Sequence, residues 1–124
     1  MWANMRIGFD KGPEGRGAIF SRPRRLIEAW RPEGVPLALA AIEAARAEGA
    51  WIAGYASYEL GYALERRLRA LMPPDRLLPL LRFGVFEEGP GNWTPEAGPA
   101  QLGAFEPRWT PQDHRAALER VRGY

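Results

Sequence analysis

The sequence predicts an α+β fold, a largely antiparallel sheet with helices on its outer side, and three observations carry that prediction. Short, partly apolar runs at 6–10, 17–21 and 25–30 are too brief for ordinary helices, and glycine- and proline-bearing connections separate them as they separate successive strands. At residue 35 the apolar spacing lengthens to threes and fours, the period of an amphipathic helix. The run 51–58, Trp-Ile-Ala-Gly-Tyr-Ala-Ser-Tyr, then carries no charge at all. The 14 glycines and 12 prolines gather at 12–17, 32–36, 73–79 and 89–99, where they punctuate the chain between elements.

Taken in order, 6–10 and 17–21 read as two strands joined by a loop. Residues 25–30 read as a third strand, although adjacent Leu26 and Ile27 break the alternation and leave a short helix open. Val35, Leu39 and Ile42 mark the apolar stripe of a helix over 35–48, with Pro36 in its first turn and Gly49 placed to stop it. The uncharged run 51–58 predicts a central strand buried on both faces, in which Gly54 lets another backbone or ring approach closely. Leu60, Leu64, Leu68 and Leu71 predict a helix over 59–71, ended by Pro73 and Pro74. Residues 77–86 predict another strand, and 89–104 a loop or edge hairpin. Thr110, Pro111 and Asp113 form a helix start, with a threonine cap, proline at the first position and a carboxylate able to reach back, so 111–124 is the last helix.

Composition narrows the function. One domain is expected from 124 residues, burying roughly two-thirds of its unfolded surface around one core. Seventeen basic residues against 15 acidic ones leave a net charge of +2, too balanced to mark a nucleic-acid partner. The high isoelectric point comes from arginine, which outnumbers lysine sixteen to one. Apolar stretches are too short for a membrane span, and no basic segment followed by an apolar core opens the chain as a signal peptide would. The absence of cysteine removes disulfides, thiolate metal sites and thiol nucleophiles, and a single histidine leaves no histidine cluster. A reducing, cytoplasmic setting is the expectation, with no membrane partner.

Each residue that invites chemistry also has a plainer reading. His114 beside Asp113 suggests a general base, but both occupy a first helical turn, where capping and the helix dipole favour such groups. Glu59 opens a helix in the same way. Arg22, Arg24, Arg25 and Arg31 cluster as a phosphate site would, yet alternate faces of a strand and have Glu28 and Glu33 for partners, so a solvated face is preferred. Gly12, Gly15 and Gly17 lack both phosphate-loop patterns. With Ser21 and Ser57 the only serines, no nucleophile triad assembles. The catalytic and metal-binding residues read from this chain are therefore none.

The run 54–64, Gly-Tyr-Ala-Ser-Tyr-Glu-Leu-Gly-Tyr-Ala-Leu, preceded by an alanine-rich helix ending at Gly49, resembles the N-terminal region of aminodeoxychorismate synthase component I, in the anthranilate synthase component I-like family of chorismate-using enzymes. Other landmarks follow in the same order. Ile7-Gly-Phe-Asp10 sits at the family's first strand, Phe20-Ser-Arg-Pro23 precedes its next, and Leu80-Leu-Arg-Phe-Gly-Val-Phe86 is similar to its Gly-x-aromatic strand. Trp109 to Tyr124 is similar to the helix that leads into the chorismate-binding domain.

The resemblance implies a fragment of the family's α/β sandwich: 1–124 as an N-terminal domain, without the C-terminal domain that carries the catalytic residues and the Mg2+ ligands. The whole protein would aminate chorismate to 4-amino-4-deoxychorismate, on the route to 4-aminobenzoate and folate, with a glutamine amidotransferase supplying ammonia. An anthranilate synthase component I domain, or a free-standing small-molecule-binding or interaction module, are the alternatives. The resemblance also implies a tryptophan pocket whose two serine-bearing strands are replaced here by Phe9-Asp10 and Arg16-Gly-Ala18. Phe9, Asp10, Arg16 and Ala18 are thus the candidate ligand residues. Asp10 would repel a carboxylate unless Arg16 offset it, so tryptophan is expected to bind more weakly than micromolar. Without its own C-terminal domain the chain is expected to self-associate, through a face lined by Trp51, Tyr55 and residues 80–86.

Overall fold

The structure is a computed structural model that describes residues 5–94 and 98–124. It has α+β architecture, but two three-stranded antiparallel sheets replace the one that was expected. In the first, β1 (Arg6–Phe9) pairs with β2 (Ala18–Ser21), Ile7 opposite Phe20 and Phe9 opposite Ala18. The strand β6 (Gly91–Asn92) completes it against Ala18 and Ile19. This edge falls within the loop or edge hairpin expected at 89–104, of which 95–97 lie outside the described residues. Trp93 lies across Gly8, where an added Cβ would stand 3.0 Å from the indole.

The second sheet runs β3 (Arg25–Ala29), β5 (Leu81–Phe86), β4 (Trp51–Ala56). The third segment is therefore a strand and not a helix. The chain crosses between sheets at Arg22, which takes a left-handed φ of 56° just before buried Pro23.

The uncharged strand is at the edge, and β5 is central. Both β4 and β5 are poor in charge, and local pattern cannot say which of two such strands lies inside. The central position of β5 tolerates Arg82 because Glu28, directly opposite on β3, forms an ion pair with it. Strand β5 starts at Leu81 and not at 77, since Leu77 and Leu78 are exposed and Pro79 has no N–H for a ladder. Gly54 does allow close approach: an added Cβ would collide with the Arg82 carbonyl oxygen.

Helix α1 (Val35–Ala47) covers one face of this sheet. Its buried stripe is Val35, Ala38 and Ala45, flanked by Ala41 and Ile42, while Leu39 turns outward. Alanine wins the inner positions because it lets the helix lie close on Ile27, Ala29, Leu81 and Val85. Gly49 follows with φ 84°, the left-handed conformation expected after a helix end.

The expected helix over 59–71 is broken. Helix α2 (Leu60–Leu64) ends where Glu65 turns extended, φ −94° and ψ 108°, and a 3-10 helix (Arg66–Leu71) follows. Ala63 is buried, whereas Leu64, Leu68 and Leu71 of the predicted stripe are exposed. With no surface beneath that stripe, nothing holds the regular i→i+4 ladder against the local bond from the Arg67 N–H to the Glu65 carboxylate.

Helix α3 (Pro111–Arg122) forms with the predicted capping box, the Asp113 N–H donating to Thr110 Oγ1 and the Thr110 N–H to Asp113 Oδ2. The Thr110 hydroxyl, which donates to Asp113 Oδ2 at 2.6 Å, and then the Thr110 N–H hold the Asp113 carboxyl below its ordinary pKa. The helix does not pack on a sheet as expected; apart from half-buried Ala117 it is exposed throughout. No helix among the described residues is long and apolar enough to cross a membrane.

The far face of the second sheet meets the first through a smaller cluster of Phe20, Ala53 and Phe86, with Ile7 and Phe9 beside it. Two clusters thus replace the single expected core. The accessible surface is 10344 Å², against about 6,700 Å² for a compact monomer of this mass, so the chain buries roughly half of its unfolded surface and not two-thirds.

Candidate functional site

A cleft of about 450 Å³ lies beside the expected ligand residues, between the β1–β2 loop and the start of β4. Its apolar floor is Phe9, Phe20, Trp51 and Ile52, and Lys11 and Arg46 contribute cations. The aromatic floor is held by contact: Phe9 meets Phe20 edge-on at 6.0 Å, and Phe20 lies 6.1 Å from Trp51. Alternation explains the placement, since Ile7, Phe9, Ala18 and Phe20 all point to the inner face of the first sheet.

The loop that carries Lys11 is tied by its own backbone, with the Gly12 N–H donating to the Arg16 carbonyl at 2.8 Å and the Gly15 N–H to the Gly12 carbonyl at 2.9 Å. Gly15 has φ 76°. Gly12 abuts Ala18, and Gly17 abuts the Trp93 carbonyl so closely that neither admits a Cβ. Those three glycines make a tight turn, which accounts for them without a phosphate.

Of the four residues expected at a ligand, Phe9 lines the cleft. Ala18 is buried beside it on the same face. Asp10 is exposed just beyond the end of β1, and Arg16 pairs with Glu14 at 2.6 Å rather than with Asp10. Lys11, Arg46 and Trp51 lie outside the expected ligand set; Arg46 and Trp51 reach the cleft from segments distant in sequence from Phe9. The one lysine among sixteen arginines was the available signal for Lys11. Arg46 also bonds Glu43 at 3.2 Å, an exposed pair that an anion can displace at little cost.

Asp113 is engaged by Thr110, leaving His114 against Trp109 with ring centroids 6.5 Å apart. Arg24 pairs with Glu48 and Glu87, and Glu28 with Arg82, so one arginine of the cluster finds partners other than those expected. Tyr55 Oη, Ser57 Oγ and Arg76 Nε are buried without a hydrogen-bond partner among the described residues. Among the described residues no three His, Asp or Glu side chains converge as a metal site. Compared with protein-family models, curated proteins and solved structures, the chain matches none.

Proposed function

We propose that this chain is the N-terminal, non-catalytic region of an aminodeoxychorismate synthase component I, working in the cytoplasm with a glutamine amidotransferase and a Mg2+-dependent chorismate-binding domain. The observation that carries the reading is the run 54–64, with its neighbouring landmarks in the family's order. Those landmarks overlap elements: 7–10 overlaps β1, 20–23 the end of β2 and the crossing into β3, and 80–86 β5. The large accessible surface supports it as well, because exposed Leu64, Leu71, Leu77, Phe105 and Trp109 suit a region that packs on further protein.

The 124-residue chain is expected to give no 4-amino-4-deoxychorismate from chorismate, ammonia and Mg2+ above the uncatalysed background. The coding sequence extended beyond Tyr124 is expected to restore growth of a 4-aminobenzoate auxotroph. Rescue of a tryptophan auxotroph instead would assign anthranilate synthase, and rescue of neither would sink both enzyme readings. Turnover by the short chain, abolished by a substitution within it, would overturn the non-catalytic assignment.

The cleft favours a second reading, a small-molecule-binding module for flat apolar anions. Lys11 and Arg46 attract a carboxylate and repel an ammonium group. By calorimetry, indole-3-propionate is expected to bind more tightly than tryptophan, and tryptamine not at all; tryptophan itself stays weaker than about −8 kcal/mol, the micromolar level. Lys11→Ala and Arg46→Ala should each weaken the carboxylate by about two- to fivefold. Equal binding of the amine and the carboxylate would remove the cations from the account.

A further inference from the structure

The edge of β4 has backbone geometry that nothing described in the chain uses. The Ser57 N–H donates to the Leu80 carbonyl at 2.9 Å, in register with the β4–β5 ladder. Alternation then turns the N–H and C=O groups of Trp51, Ala53 and Tyr55 toward β5, and those of Ile52, Gly54 and Ala56 outward. Strand β4 pairs with β5 alone, and among the described residues no other backbone bond reaches those three.

Natural edges are guarded by charge, proline or a bulge; β4 has six residues with none of the first two and an unbroken register with β5. Its outward groups are also self-complementary. A two-fold axis at Gly54 sets Gly54 opposite Gly54 of a second copy and Ile52 opposite Ala56, so that each outward donor meets an outward acceptor in about six interchain bonds. Small residues stand at the axis, Gly54 itself and Ala53 next to it.

We infer that β4 is the dimerisation edge of this chain, and that its partner is a second copy paired antiparallel about Gly54 to make one continuous six-stranded sheet. The occupant is a strand with the same uncharged edge and the same spacing of donors. This inference specifies where the expected self-association occurs, and does not depend on the chorismate reading. It also replaces the expected face, because Leu80, Leu81, Val85 and Phe86 are buried within the chain itself.

The test uses the 124-residue chain, with sedimentation equilibrium for mass and amide hydrogen exchange for register. A dimer is expected, with exchange at Ile52, Gly54 and Ala56 slowing at least about tenfold as concentration rises, while Trp51, Ala53 and Tyr55 stay protected at every concentration. Ala56→Pro removes an outward N–H from each copy but none from the β4–β5 ladder, and should raise the dimer dissociation constant roughly tenfold or more. A chain that stays monomeric at high concentration overturns the inference. So does a dimer in which Ile52, Gly54 and Ala56 exchange freely, since another surface would then hold it; the wild-type exchange pattern decides this even if the proline variant fails to fold.

Discussion

Replacing Phe86 with alanine is expected to lower the unfolding free energy by about 3–5 kcal/mol, the largest effect of any single truncation in this chain. The ring is 2% exposed, lies 5.3 Å from Phe20, and fills the space that a Cβ on Gly84 would need. Phe20, Phe86 and Ala53 are the buried residues through which the two sheets meet. Truncation therefore leaves a cavity at a junction with little other apolar contact to close it. Such a loss is a large fraction of the roughly 5–15 kcal/mol that holds a domain folded. Urea unfolding measures the total, and amide exchange locates it: protection should fall more in β1 and β2 than in α1. A change under about 1 kcal/mol, or one spread evenly over both sheets, would show that the sheets are joined elsewhere.

Gly54→Ala is expected to destabilise by about 1–3 kcal/mol, although it adds only a methyl group. The new Cβ would collide with the Arg82 carbonyl oxygen and stand 2.6 Å from the Phe83 Cα. Both obstacles are backbone of the central strand, so neither can rotate away, and β4 must shift from β5. Gly61→Ala supplies the contrast. That glycine lies in α2 with nothing within 4 Å of an added Cβ, and the same substitution should stabilise by roughly 0.5–1 kcal/mol through helix propensity. Thermal melts of the two variants should move in opposite directions. If Gly54→Ala melts with the parent chain, the close approach of β4 to β5 is not a constraint.

The site was legible only in part. Phe9 could be named because it belongs to a strand whose alternation is readable, and the tight turn after it follows from closely spaced glycines. Arg46 and Trp51 join the cleft from a helix end and an edge strand, and no local pattern relates them to Phe9. The arginine cluster shows the same limit at the level of single bonds. Arg24 lies near Glu28 in sequence but pairs with Glu48 and Glu87, because β3 is laid beside β5 and the end of α1.

By itself the sequence determined what depends on neighbours along the chain: the approximate places of the strands and of α1 and α3, though not the broken helix at 60–71, together with the capping box of α3, the stop at Gly49 and the close approach at Gly54. Those follow from backbone sterics, side-chain alternation and local hydrogen bonds, which act within a few residues. Tertiary structure alone decided that there are two sheets, that β5 is central and β4 the edge, and that the leucine stripe of 59–71 stays in solvent. Burial belongs to surfaces brought together from distant segments. Arg82 is tolerated in the central strand because Glu28 stands across from it, and Leu64 and Leu71 are exposed because no described element covers them.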